Sequence, residues 1–133
     1  MIGPNLNILS WNVRGLNDPS RKDAVHATIA DTPCHVACLQ ETKMAAISQS
    51  DAACIGGFRL AKHAPHLPAE GTRGDILLLW DENSVALSDV SFGTYSASAM
   101  VTILECETYF KLTLSMVLCH DLYSHLLAFG HSS

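Results

Sequence analysis

Two short apolar runs joined by a helix-like segment set the strongest limit on what this chain can fold into. The first is Ile8-Leu9-Ser10-Trp11-Asn12-Val13-Arg14-Gly15-Leu16-Asn17, in which Leu9, Trp11 and Val13 alternate with Ile8, Ser10 and Asn12. One row is apolar throughout and the other turns polar at its end, as in a strand that leaves the core. The second is His35-Val36-Ala37-Cys38-Leu39-Gln40-Glu41-Thr42-Lys43. Its continuous apolar stretch from Val36 to Leu39 is the pattern of a strand covered on both faces. Between the runs, Gly15 allows a turn. Asp18-Pro19 then starts a helix, because Asp accepts from free N–H groups and Pro fits the first helical position. Val25, Ile29 and the alanines between them give an apolar face up to about Ala30, and Asp31-Thr32-Pro33 stops the helix. Strand, helix, strand reads as a right-handed crossover between parallel strands.

Asn12 and Glu41 then stand at the ends of neighbouring strands, where α/β sheets gather ligands. An amide oxygen and a carboxylate there suit Mg²⁺, which takes oxygen ligands and usually one or two carboxylates. Each residue also has a plainer reading. Asn12 can cap the following turn, and Glu41 can be a surface carboxylate paired with Lys43. Trp11 and Trp80 read as core residues rather than stacking platforms.

Further along, Met44 to Ile55 predicts a second helix ended by Gly56-Gly57, and Phe58 to Ala61 a short strand. Lys62 to Gly74, punctuated by Pro65, Pro68 and glycines, reads as a loop in which His63 and His66 are solvated. Ile76 to Trp80 is the most apolar run and predicts a central strand. Asp81-Glu82-Asn83-Ser84 is a turn signal. Val85 to Val90, Ala97 to Leu104 and Tyr109 to Leu114 alternate, which predicts an antiparallel meander. Leu112 to Phe129 is leucine-rich, but His120, Asp121 and His125 interrupt it, so it makes a poor membrane span and we expect no membrane partner.

The 133 residues suffice for one domain. A net charge of −5, with Arg14, Arg21 and Lys22 as the one basic cluster in the sequence, argues against a strong stand-alone nucleic-acid module. Five cysteines form an odd set without a CxxC pair, and no signal peptide precedes them. We therefore expect an intracellular, reducing compartment, nuclear or cytoplasmic. Cys34, His35 and Cys38 match no common zinc spacing, and the two cysteines read as ordinary buried thiols.

Three segments in order carry a resemblance: Ser10-Trp11-Asn12-Val13-Arg14-Gly15-Leu16-Asn17, Leu39-Gln40-Glu41-Thr42-Lys43, and Gly71-Thr72-Arg73-Gly74 running into Ile76-Leu77-Leu78-Leu79-Trp80. Together they resemble the endonuclease/exonuclease/phosphatase superfamily, in particular the apurinic-endonuclease-like domain of LINE-type retrotransposon proteins. The resemblance covers roughly Asn5 to Thr113. It implies a four-layer α/β sandwich of the DNase I-like kind and Mg²⁺-dependent cleavage of a DNA phosphodiester. It carries over Asn12 as an active-site amide near metal and phosphate, and Glu41 as the metal-binding carboxylate.

The later motifs that the resemblance implies are absent. No Gly-Asp-x-Asn run exists, and His120-Asp121 reverses the order of the terminal Asp-His pair and sits too early. Asp75 stands where the resemblance places a second glycine, at an expected cost in close backbone packing. We therefore expect residues 1–113 to be a partial domain and residues 114–133 a divergent, out-of-register tail. The expected function is that of a truncated Mg²⁺-dependent DNA endonuclease-like domain, inactive alone. Two rivals stay open: a non-enzymatic remnant or interaction module, and a phosphatase of the same superfamily. With little sequence left for a second sheet, one apolar face of the first is expected to stay exposed and to favour self-association.

Overall fold

In the computed structural model of the chain, residues 5–67, 75–93, 96–115 and 123–129 are described, with residues 5, 67 and 123–129 given by their backbone alone. The predicted crossover is present. Strand β1 (Asn5–Asn12) leads through helix α1 (Pro19–Asp31) to β2 (Val36–Gln40), and β1 and β2 are parallel with Asn12 opposite Gln40. Helix α1 starts as its sequence dictates: the Asp18 side chain accepts from the Ser20 N–H at 3.0 Å, and Pro19 occupies the first turn.

The first sheet has the order β3-β4-β2-β1-β8, with β3 at His66–Leu67, β4 at Ile76–Trp80 and β8 at Tyr123–Phe129. Every residue of β2 and of β4 is buried, as their unbroken apolar runs require. Strand β8 runs antiparallel to β1, Leu6 facing Ala128 and Trp11 facing Tyr123. The meander forms a separate sheet, β5 (Val85–Phe92), β6 (Ser96–Ile103) and β7 (Thr108–Ser115), in that order. The turn feeding it is closed by the Asp81 carbonyl, which accepts from the Ser84 and Val85 N–H groups at 3.0 Å each.

Two apolar cores sandwich the first sheet. On one face Leu9, Leu39, Leu77 and Leu79 meet Val25 and Ile29 of α1 and Ala52, Ile55 and Leu60 of α2 (Gln49–Leu60). On the other, Ile8, Val36, Cys38, Ile76 and Leu78 meet Val85, Ala97, Val101, Ile103 and Leu114 of the second sheet. The expectation of an exposed apolar face is thereby corrected. The three alternating strands supply the cover, because their even-numbered spacing puts every second residue inward. Among the described residues, the layers are helices, first sheet and second sheet.

Other expectations need local correction. Helix α2 begins at Gln49 rather than Met44, because Ser48 and Asp51 form a reciprocal capping box: the Ser48 hydroxyl accepts from the Asp51 N–H at 3.0 Å, and the Asp51 carboxylate accepts from the Ser48 N–H at 3.1 Å. Gly56-Gly57 kinks the helix instead of ending it. Gly57 takes a φ of 75°, and Phe58 to Leu60 are helical, not a strand. A Cβ on Gly56 would lie 2.8 Å from Leu79 Cδ1, so this glycine lets α2 lie close on β4. The loop expected over Lys62 to Gly74 contains the two-residue β3, and residues 68–74 lie outside the described residues, as do His120 and Asp121.

Trp80 is buried, and Trp11 packs half-buried against the helix-side core. His63 stacks on Trp80 with ring centroids 5.2 Å apart and pairs with Glu82 at 3.0 Å. Cys34 and Cys38 are buried free thiols, and burial pushes the Cys38 thiol up to about 12. Among the described residues, no helix is long and apolar enough to cross a membrane.

Candidate functional site

Beyond the last residues of β1 and β2 the two chains continue side by side. The Val13 N–H donates to the Gln40 carbonyl at 2.9 Å, Gly15 to Glu41 at 2.7 Å and Leu16 to Thr42 at 2.8 Å. Holding this register outside the regular strands needs unusual backbone. Arg14, Glu41 and Lys43 all take a φ of 57°, and Gly15 takes 102°. A non-glycine residue in the left-handed region costs about 1–3 kcal/mol and persists where surrounding contacts over-determine it, often at functional sites. The φ of Gly15 is one that L-residues rarely adopt, so the backbone and not a lack of space calls for glycine there; a Cβ would meet the Lys43 side chain at an ordinary 3.5 Å.

The structure brings the two predicted site residues together. The Asn12 amide N–H donates to Glu41 Oε2 at 2.5 Å, and Asn12 Oδ1 accepts from the Arg14 N–H at 3.1 Å. These two contacts fix which way the amide points, since only one orientation satisfies both. Asn12 is buried at 3% exposure, whereas Glu41 is half-buried and reaches the surface. Asn12 therefore holds the Glu41 carboxylate through its N–H. Below them, buried Gln40 donates to the Ser10 hydroxyl at 2.9 Å.

Asp75, at the entry to β4, joins this pole in a way that the sequence reading missed. It is 3% exposed. Its carboxylate accepts from the Thr42 hydroxyl at 3.1 Å and from the Lys43 N–H, while its carbonyl accepts from the Glu41 N–H at 2.8 Å. The expected packing cost at this position is corrected: the carboxylate fills the space with hydrogen bonds. An Asp beside an otherwise apolar strand was the available signal, because a buried carboxylate must find donors.

Next to Arg14 lies an open hollow of about 610 Å³, bordered by Arg14, Arg21 and Lys43 with Asn17, Asp18 and Ser20. Arg21 is anchored by its Nε–H to the Val13 carbonyl at 2.9 Å, and the Asn17 side chain donates to the Lys43 carbonyl at 2.6 Å. The basic cluster seen in the sequence is split here. Lys22 faces Asp51 at 3.5 Å, and Lys43 joins Arg14 and Arg21 instead.

Among the described residues, no three His, Cys, Asp or Glu side chains converge on one point. The donor at hand is a single half-exposed carboxylate. That fits a hard divalent cation that keeps most of its waters and takes one or two carboxylates, as Mg²⁺ does, and does not fit a dehydrated metal cage.

The comparisons with known proteins agree with this architecture. The model of the endonuclease/exonuclease/phosphatase family matches residues 9–128, a stretch that includes most of β8. Among solved structures, the chain is similar to AP endonuclease LMAP from Leishmania major, with a TM-score of 0.60 at 16% identity over 85% of this chain and 40% of that one. It is also similar to D. rerio TDP2, solved complexed with single strand DNA product, with a TM-score of 0.54 at 17% identity over 87% of this chain and 48% of that one. The chain spans less than half the length of either. No curated protein matches it by sequence. Its helix-covered mixed sheet backed by a second sheet is the DNase I-like α/β arrangement, and the chain belongs to the endonuclease/exonuclease/phosphatase family.

Proposed function

We propose that this chain carries the metal-side part of a DNA phosphodiester-cleaving site of the LINE-type endonuclease kind, and that it does not cleave DNA by itself. The observation that carries this reading is the Asn12–Glu41 contact at the strand ends, next to a hollow bordered by three cationic side chains. In this reading Glu41 would hold Mg²⁺, and Asn12 orients the Glu41 carboxylate through its amide N–H. Arg14, Arg21 and Lys43 attract the phosphates of the flanking strand, a contact that weakens with salt. The cation, when bound, supplies orientation of phosphate oxygens and stabilisation of developing charge.

Two features support inactivity of the chain alone. The sequence lacks the Gly-Asp-x-Asn run, and among the described residues no carboxylate-imidazole cluster forms around Glu41. Loss of one preorganised charge-stabilising group costs about a hundredfold or more in rate, and here several are missing together. The hollow is bordered by three cationic side chains, Arg14, Arg21 and Lys43, against one carboxylate, Asp18, and this spread of positive charge favours a polyanionic strand over a small phosphoester.

The test incubates the protein with supercoiled plasmid and with abasic-site duplex in Mg²⁺, against a matched Glu41→Ala protein. We expect no product above that control. The same protein should bind a labelled oligonucleotide at low salt, and Arg21→Ala with Lys43→Ala should weaken binding at least several-fold. Cleavage dependent on both Mg²⁺ and Glu41 would overturn the inactivity, and oligonucleotide binding indifferent to Arg21 and Lys43 would overturn the DNA reading.

A further inference from the structure

We infer that Asp75 is a positioning residue: it sets the turn that carries Glu41 and so aims the Glu41 carboxylate at Asn12. The inference rests on the reading of Asn12 and Glu41 given above and adds the residue that holds them in register.

Glu41 and Lys43 are both left-handed, with Thr42 between them fully buried. Such a turn is not the preferred path of L-residues, so its geometry must come from neighbours. The β1 side takes the turn's carbonyls: Gly15 and Leu16 donate to Glu41 and Thr42. The β4 side takes its donors, and there all three contacts fall on one residue. Asp75 accepts from the Glu41 N–H, the Thr42 hydroxyl and the Lys43 N–H. Two of these go to the same carboxylate oxygen, so the side chain acts as a pin between consecutive residues of the turn. Charged acceptors make shorter and stronger hydrogen bonds than neutral ones, and a buried carboxylate with donors on it resists movement. If the pin is removed, Glu41 and Lys43 are free to relax toward right-handed or extended backbone. The Glu41 side chain then swings off Asn12, while the sheets, held by their apolar cores, stay folded.

The experiment uses the whole ¹⁵N-labelled chain and three readouts: hydrogen exchange of the Lys43 amide, the side-chain NH₂ resonance of Asn12, and line broadening on titration with Mn²⁺. In Asp75→Ala we expect Lys43 exchange at least tenfold faster, the Asn12 NH₂ signal shifted toward that of a free amide, and Mn²⁺ affinity down about tenfold. Protection of β6 amides should stay unchanged. Asp75→Asn keeps an acceptor oxygen for the Lys43 N–H and should recover most of all three.

An unchanged Lys43 amide and Asn12 signal in Asp75→Ala would overturn the inference. So would an equal loss of protection throughout both sheets, which would mark a purely structural role. Should Asp75→Ala fail to fold, Thr42→Val removes one donor and keeps the shape; a shifted Asn12 signal supports the inference and an unshifted one overturns it. Absence of Mn²⁺ broadening in the unmodified chain would sink the metal reading alone, since the Lys43 and Asn12 signals still decide the role of Asp75.

Discussion

The two sheets are built from sequences of opposite character. Strands β2 and β4 of the first are buried along their whole length, with apolar side chains on both faces. Strand β6, the centre of the second, alternates buried and half-buried residues from Ser96 to Ile103, and its outer face carries Ser98, Met100 and Thr102. The chemistry follows the same division. Asn12, Glu41 and Asp75 all lie at one end of the first sheet, whereas the second sheet supplies the apolar cover behind it. A sheet buried on both faces can hold a strained turn at its rim because its strands cannot shift to relieve it. A sheet with one wet face tolerates change on that face and transmits little.

The largest expected effect tests that contrast in the cores. Leu39→Ala, in the doubly covered β2, should cost about 2–5 kcal/mol by chemical denaturation, the usual range for a fully buried leucine. Leu112→Ala, on the half-buried inner face of β7, should cost less than half as much. Equal losses would mean that the two sheets contribute alike.

A smaller effect tests the seal between the sheets. Cys38 faces the second sheet, and burial raises its thiol from 9.0 to about 12. The folded state therefore keeps the thiol neutral while the unfolded chain ionises near 9.0, so stability is full below that pH and declines as pH rises toward 12. Between pH 8 and pH 10 the unfolding free energy should drop by about 1 kcal/mol more in the unmodified chain than in Cys38→Ala. Alkylation at neutral pH should modify Cys54 and Cys106, which are exposed, and spare Cys34 and Cys38 until denaturant is added. Early labelling of Cys38 would show the second sheet lifting away.

The smallest effect lies on the wet face. The Ser98 and Thr113 hydroxyls are 3.2 Å apart on exposed neighbouring strands. Ser98→Ala should move stability by no more than about 0.5 kcal/mol, read as a melting-temperature shift. A larger loss would point to a partner covering that face.

Much of this was readable from local pattern. The helix start at Asp18-Pro19 and the meander after Asp81 depend on residues close in sequence, and the parallel pairing of β1 with β2 follows from the strand-helix-strand order. The meeting of Asn12 and Glu41 follows from the same order, once two adjacent strands end together. What escaped the reading depends on distant partners or on competition between signals. Ser48 and Asp51 outweighed the apolar Met44 as the start of α2, because reciprocal capping satisfies two free donors at once. Gly56-Gly57 carried a stop signal, but Leu79 of β4 rewards close approach there and the helix resumes. Asp75 looked like a misplaced glycine because its donors, Thr42 and Lys43, lie on a turn whose left-handed backbone no local pattern announced. The second sheet was foreseen as strands, but its role as a cover was not, since alternation names a buried face without naming what buries it.

The pairing of β1 with β8 has a consequence for how the chain acquires its structure. Strand β1 ends at Asn12 and β8 begins at Tyr123, so β1 waits about 110 residues for its second neighbour. During synthesis at about 5–20 residues per second, that is a delay of roughly 5–20 s. Over that interval one edge of β1 presents free N–H and C=O groups, a template for strands of other chains. Contacts this remote in sequence also slow the search for the native pairing. For this fold, the most exposed moment is the interval before the last described strand arrives, and a chaperone that shields extended apolar segments would act most usefully on Leu6 to Trp11.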